Sequence, residues 1–473
     1  MQPAWTVLQE LSSLGMLLSM TSMNKTYAKT LEALGIRFPR LLMPAPEVPI
    51  ETWGVVACDQ HTSDRDYWNR LSKAIGSNPS TLPLIFPEVY LEDPDRQDRI
   101  QRIHQTMQHY LDQGLLQDVG EQLIYIERTT EASGLRQGIL LAMDLEYYDY
   151  SKGSTSLIRA TEGTILDRIP PRVQVRKGAP LELPHIMILI DDPDQGIIEP
   201  LASQKNSDAR VYTTDLLLGG GHIEGYSIKD SGTIQTILSG LQNLASADTT
   251  KKRYGTDTPL LFAMGDGNHS LATAKTVWEE LKAAAVQEHG TWEHLVDHPA
   301  RFALAEIVNL HSPGLRFEPI HRTLFGVSGE ELQEVLKGDF NARITPMAED
   351  TLQAFLEGNP AGQKAAGIYD GDQWYCAEFP EDEERLPNAL VDLAFETLRS
   401  RNPKATIDFI HGWNHTKNFA KQGSAVSTFF PVIARDRLFD YVINQGSLPR
   451  KAFSMGDAEE KRYYIESRRI LPS

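Results

Sequence analysis

The stretch that most constrains this chain is Leu260–Lys275, LLFAMGDGNHSLATAK. The apolar run Leu260–Met264 reads as a buried strand and stops at Gly265-Asp266-Gly267-Asn268-His269. Beyond it, apolar residues recur at Leu271, Ala274, Trp278, Leu281 and Ala285, the spacing of one helix face. A strand that feeds a helix through a glycine-bracketed acid needs a sheet to pair in and a core for the helix to cover, so an α/β fold is expected. The turn also delivers side chains and backbone N–H groups to one point, where the helix dipole favours an anion, often a phosphate.

The rest of the chain is long enough to surround such a point. Its 473 residues predict two or three domains. A formal net charge of -18 argues against general affinity for nucleic acid or anionic membrane, although a local basic pocket is compatible with it. Two cysteines, Cys58 and Cys376, make no disulfide framework, which points to a reducing cytoplasm. The apolar stretch Leu14–Met20 is too short to span a bilayer, and no basic residue precedes it as a signal peptide would require. Residues 1–35 are therefore read as an N-terminal extension outside the fold, 36–327 as the main α/β domain, and 328–473 as a smaller C-terminal α/β domain with a charged tail over Leu448–Arg469.

Trp53–Asp59 reads as a strand ending at Asp59, followed by a helix capped at Ser63. Pro83–Leu91 reads as another strand, and Leu123–Arg128 and Gly138–Leu145 as a neighbouring pair. Leu157–Gly178, LIRATEGTILDRIPPRVQVRKG, carries Arg159, Arg168, Arg172, Arg176 and Lys177 against Glu162 and Asp167, a local reversal of the overall charge. Alternation of Val173 and Val175 with Gln174 and Arg176 makes its end strand-like. Gly219-Gly220-Gly221-His222 is a backbone-exposing turn, and Phe317–Arg322 a proline-fixed polar turn.

Each motif has a structural reading beside the functional one. In the Gly265–His269 turn, Asp266 is a candidate base or metal ligand and His269 a candidate donor; alternatively Asp266 or Asn268 simply caps the helix. The loop lacks the Gly-Lys-Ser/Thr ending of a Walker A motif and the glycine spacing of a dinucleotide fingerprint. The guanidinium groups of Arg159, Arg168, Arg172 and Arg176 suit bidentate contact with phosphate or carboxylate; alternatively they lie on a solvated strand face with local salt bridges to Glu162, Asp167 and Glu182. Asp59, at the end of an apolar run, is a candidate base or metal ligand; Cys58 beside it reads as core. Histidine spacing gives no zinc site, because Gly412 breaks any helix joining His411 and His415. His185 and His321 read as structural. Glu162 and His222, the latter in its glycine-rich turn, are the candidate substrate contacts.

GDGNHSLATAK resembles the D-G-H/N-H-R-x-x-A box of the family known as domain of unknown function 1015. The resemblance extends through WGVVACDQ (Trp53–Gln60), PEVYL (Pro87–Leu91), IRATEGTILDRIPPRVQVR (Ile158–Arg176), LELPH (Leu181–His185), FEPIHR (Phe317–Arg322) and LPRKAFSMG (Leu448–Gly456). The box is in turn similar to the G-x-H-R motif of the ParB/sulfiredoxin superfamily, which includes partition proteins, sulfiredoxins and free-serine kinases. That likeness implies a ParB/sulfiredoxin-like mixed-sheet core with insertions. It also implies a phosphate site at the box, with Gly267, Asn268 and Ser270 as phosphate-binding positions and Asp59, Asp266 and His269 as the catalytic set. Ser270 stands where the superfamily has arginine, so positive charge must come from elsewhere. Asn268 replaces the cysteine that sulfiredoxin chemistry requires.

The function implied is a kinase-like phosphotransferase. It would act on serine or a similar small hydroxyl metabolite, with pyrophosphate or a nucleotide as donor and Mg²⁺ as cofactor. A non-catalytic nucleotide-binding regulator and a phosphatase of a small phospho-metabolite are the alternatives. The expected partners are a small-molecule phosphate or nucleotide and a small polar metabolite, with no nucleic acid and no membrane; an oligomer is compatible with the sequence.

Overall fold

The computed structural model describes residues 23–358, 364–421 and 425–472. The N-terminal apolar stretch at 14–20 lies outside them. Two compact units are present. The first comprises residues 23–160, Thr164–Leu315 and 457–472; the second comprises Thr161–Gly163 and Arg316–Gly456.

The first unit is built on a mixed ten-stranded sheet. In chain order its strands are β1 (Ile36–Arg37), β2 (Leu123–Thr130), β3 (Gly134–Asp144), β4 (Tyr148–Asp149), β5 (Ile158–Arg159), β6 (Ile186–Ile190), β7 (Arg210–Asp215), β8 (His222–Ile228), β9 (Phe262–Asp266) and β10 (Phe302–Asn309). Their spatial order is β7-β8-β2-β3-β10-β6-β9-β5-β4, with β1 on β3. Strand β9 runs parallel to β5 and antiparallel to β6, whereas β6 and β10 are parallel.

Alternation along the central strands places residues on opposite faces. Leu123, Tyr125, Ile139 and Leu141 join one core with Leu271 and Trp278. Ile124, Ile126, Leu140 and Leu304 join the other with Trp53, Tyr463 and Tyr464. The expected α/β class with a mixed sheet and a second, smaller sheet unit therefore holds. The second unit has its own seven-stranded sheet, whose strand Phe317–Phe325 pairs with Thr406–His411 and Ala425–Phe429.

Several local expectations are corrected. Residues 23–35 are not outside the fold: helix Ala28–Leu34 buries Leu31 and Leu34 in the first core. Pro83–Leu91 is not a strand but two 3₁₀ turns, Leu82–Leu84 and Glu88–Tyr90. A proline cannot donate to a ladder, and Pro83 and Pro87 instead set these turns.

The alternation at the end of the Arg-rich stretch is helical. Helix α1, Ile169–Arg176, takes Pro170 and Pro171 in its first turn, where no N–H is needed, and buries Ile169 and Val173 against Ala272 and Val277. After helix Ile50–Trp53 the chain runs through Val56, which makes only an isolated bridge to Tyr463. The following helix, Arg65–Ile75, is capped by Asp64 rather than Ser63.

Phe317–Arg322 is strand, not turn. Pro319 falls where pairing to Phe453–Met455 hands over to Thr406–His411. Finally, the charged C-terminal tail is not part of the second unit from Asp457 onward: Lys461–Ser467 is buried in the first.

Candidate active site at the start of a long helix

Strand β9 carries a register shift just before its last residue, Asp266, which pairs with Met187 of β6. Gly267 follows with φ 83° and ψ 27°, a left-handed conformation that glycine adopts without penalty. A Cβ there would lie 3.1 Å from Cα of Ile186, so β6 closes off any larger residue. Helix α2, Asn268–His289, then runs 22 residues with no side-chain cap on its first turn. Gly267 stands at the N-cap position itself and has no side chain to cap with, and the first-turn N–H groups of a helix have no intrahelical acceptor. The Asn268 Oδ1 is buried without a hydrogen-bond partner.

Side chains from remote parts of the first unit meet this turn. His185 precedes β6, and its Nε2 lies 2.7 Å from Ser270 Oγ. Its Nδ1 lies 2.7 Å from the Tyr464 hydroxyl, which in turn accepts the Cys58 N–H at 3.1 Å. Asp59 Oδ2 is 3.8 Å from His185 Nε2, and Asp59 Oδ1 accepts from the Gln60 amide at 2.9 Å. Lys461 Nζ, 7% exposed, lies 3.6 Å from Asp266 Oδ2; that oxygen is buried and receives no hydrogen bond.

The two carboxylates are driven apart in proton affinity. Burial opposes ionisation of Asp59, but His185, the Gln60 amide, Lys461 and Arg172 outweigh it and hold the group below the ordinary carboxylate range. Burial raises Asp266, and the Asp59 charge adds to it; Lys461 and His185 oppose the rise without cancelling it. Two neighbouring acids with opposed shifts are the pattern expected when one stays ionised and the other exchanges a proton. Cys58 is not a nucleophile: burial, then Asp59 and Glu88, push its thiol far up.

Beside Ser270 and His185 opens a cavity of about 140 Å³, walled mostly by apolar side chains such as Leu84, Phe86, Met107 and Leu181. Its charged walls are paired: Arg172 Nε donates to Glu88 at 2.8 Å, and Arg176 to Glu182 at 2.6 Å.

The remaining sequence candidates are distributed unevenly. Arg159 is tied to the carbonyls of Ser156 and Pro259, and Arg168 sits exposed in a one-turn 3₁₀ segment. Glu162 belongs to the second unit, where its carboxylate accepts the N–H groups of Lys451 and Ala452, each at 3.0 Å. His222 is five strands from β9 in the sheet order and is engaged by Asp215 and Thr213. His269 occupies the second helical position, and its carbonyl accepts from Thr273.

Sequence reading missed His185, Glu88, Lys461 and Tyr464 as site residues. The only signal for the first two was their place in the LELPH and PEVYL stretches. Lys461 and Tyr464 sit in a charged run with no periodicity to mark it as buried.

Among the described residues no helix is long and apolar enough to cross a membrane. Residues 37–399 match the family model described as "Protein of unknown function (DUF1015)". No curated protein matches the chain. Among solved structures, a conserved hypothetical protein from Pyrococcus furiosus aligns at TM-score 0.34 and 9% identity, over 71% of this chain and 95% of its own. A free serine kinase in complex with AMP aligns at TM-score 0.36 and 9% identity, over 70% and 92%. SbnI with a C-terminal truncation, from Staphylococcus aureus, aligns at 0.34 and 8%, over 67% and 82%.

Proposed function

The chain belongs to the DUF1015 family, and we propose that it is a small-molecule phosphotransferase, moving a phosphoryl group from a nucleotide or pyrophosphate to a hydroxyl on serine or a similar small metabolite. The observation that carries this reading is the pair Asp59 and Asp266, with opposed proton affinities, beside Lys461 at the uncapped start of helix α2. Phosphoryl transfer asks a protein chiefly to position the reactants and to stabilise charge on the transferred group.

In this reading the first-turn N–H groups of α2 and the Lys461 ammonium hold phosphoryl oxygens. Lys461 supplies the positive charge that Ser270 lacks. Asp266 Oδ2, buried and without a hydrogen-bond donor, accepts the proton of the attacking hydroxyl; its raised proton affinity suits it to that task.

The donor set also fits Mg²⁺, which takes hard oxygen ligands from one or two carboxylates together with substrate phosphates. Asp59, held ionised, would be the ligand, and the ion would neutralise charge on the donor phosphates. Asp59→Asn should then raise the Mg²⁺ concentration needed for half-maximal rate, measured by titrating the metal at saturating donor.

The test is a coupled assay of L-serine with ATP, ADP or pyrophosphate, run forward and, from phosphoserine, in reverse. Acceptor-dependent consumption of one donor supports the reading. No turnover with any donor in either direction would sink its serine version. Phosphate release without an acceptor would favour a phosphatase instead.

A further inference from the structure

The cavity beside Ser270 and His185 has a polar end and an apolar body. Leu84, Phe86, Met107, Val175, Leu181 and Leu304 form much of its wall. Leu84, Leu181 and Leu304 are each about 1% exposed, so this part of the wall belongs to the core. The charges on its wall are paired, Arg172 with Glu88 and Arg176 with Glu182, although Arg176 Nε is buried without a hydrogen-bond partner. A zwitterion entering here would have to break one of these ion pairs or leave its own charges unpaired in a desolvated site, both unfavourable. A hydroxyl meets no such obstacle, because Ser270 Oγ stands at the cavity and, with His185 Nε2 taking one of its hydrogen bonds, a serine oxygen with two acceptor lone pairs and a donor keeps capacity for another.

We infer that this cavity is the acceptor site, and that the acceptor is an uncharged alcohol with an apolar body, anchored by its hydroxyl at Ser270 Oγ, which His185 Nε2 holds in place. The volume of about 140 Å³ sets the size: an apolar cavity of about 150 Å³ is known to hold benzene, so the body has about six carbon atoms. The inference rests on the phosphotransfer reading for its chemistry. In the transfer the alcohol's O–H proton passes to Asp266, its oxygen forms the new P–O bond, and the donor's bridging P–O bond breaks with its electron pair leaving on the released nucleotide or phosphate. It narrows that reading on the acceptor, from small hydroxyl metabolites in general to an uncharged alcohol with an apolar body.

Binding is measured first, without a donor, by the thermal shift of the full chain with benzyl alcohol, toluene and L-serine as probes. A compound that binds the native state raises the apparent melting temperature. Benzyl alcohol is expected to give a saturable shift at a concentration at least tenfold lower than toluene, and L-serine none. Ser270→Ala should erase the preference for benzyl alcohol over toluene. Ala179→Phe, which fills the cavity from a buried wall position, should abolish both shifts. If A179F does not fold, Val175→Phe, on a half-buried part of the wall, replaces it.

Absence of any benzyl alcohol shift in the wild type overturns the inference, as does a filled-cavity variant that responds like the wild type. Transfer to L-serine at an unchanged rate in A179F overturns it while leaving phosphotransfer intact. Formation of benzyl phosphate from any of the three donors, lost in A179F, supports both. A specific benzyl alcohol shift with no transfer from any donor supports the alcohol site and sinks phosphotransfer.

Discussion

At the scale of single residues, the chemistry turns on Asp266. Removing its carboxylate should cost the general-base contribution, about a hundredfold or more in kcat. Asp266→Asn is expected to show this loss with an unchanged circular dichroism spectrum. The pH profile gives a second reading. A base must be deprotonated to act, and the Asp266 carboxyl is raised by burial and by Asp59. The rate should therefore fall on the acid side at a pH above the ordinary carboxylate range. Lys461 holds that value down, so Lys461→Met should move the acid limb to higher pH, measured as kcat against pH.

At this scale the sequence was legible only where chemistry is local. Asp266, Gly267 and Ser270 flank one turn, and Asp59 closes one apolar run. His185 and Tyr464 touch although they lie 279 positions apart, and no local spacing encodes that contact. The Arg-rich stretch misled for a related reason. Its guanidinium groups were visible, and so was Glu182, which pairs with Arg176; Glu88, which engages Arg172, and the Pro259 carbonyl, which engages Arg159, come from other segments.

Among the elements, the junction of β9 and α2 is the most exacting. Gly267 combines a left-handed backbone with a close approach to β6. Gly267→Ala should cost about 1–2 kcal/mol from backbone conformation alone, with a further cost if Ile186 must give way, read as a lower melting temperature. The strand and the helix were both readable from periodicity, because each has one strong apolar pattern. Helix α1 was not: its Val173-Gln174-Val175-Arg176 alternation mimics a strand, and only the tertiary contacts of Ile169 and Val173 with Ala272 and Val277 decide for a helix. Pro319 likewise disguised a nine-residue strand, since it sits at a change of pairing partner rather than inside one ladder.

For the molecule as a whole, the buried C-terminal segment is the main departure from what the sequence suggested. It brings Lys461 and Tyr464 to the site and Arg462 into a buried ionic cluster. Arg462 pairs with Glu306 at 2.7 Å and with Glu466 at 2.5 Å, all three at most 1% exposed. Such a group costs more to unpair than it adds as a pair. Arg462→Met should therefore destabilise the first unit by about 3–5 kcal/mol, measured by denaturant unfolding.

The second unit carries its own pH dependence. His321 is fully enclosed, and burial, then Arg322 and His411, lower its pKa to about 3. Between pH 6.5 and about 3 the unfolded chain binds a proton that the folded unit refuses. The contribution of this group to stability is thus full above pH 6.5 and falls by about 1.4 kcal/mol per pH unit below it, down to about pH 3. His321→Gln should flatten that slope in acid unfolding curves.

The most direct test of phosphotransfer at Asp266 is a phosphorus NMR time course with donor, Mg²⁺ and acceptor, comparing the wild type with D266N. L-serine and benzyl alcohol are run as acceptors in parallel. A phosphate monoester signal should grow only when an acceptor is present, and it should be absent or about a hundredfold slower in D266N. Donor consumption that ignores the acceptor, or an ester signal that grows equally fast in D266N, would contradict the account.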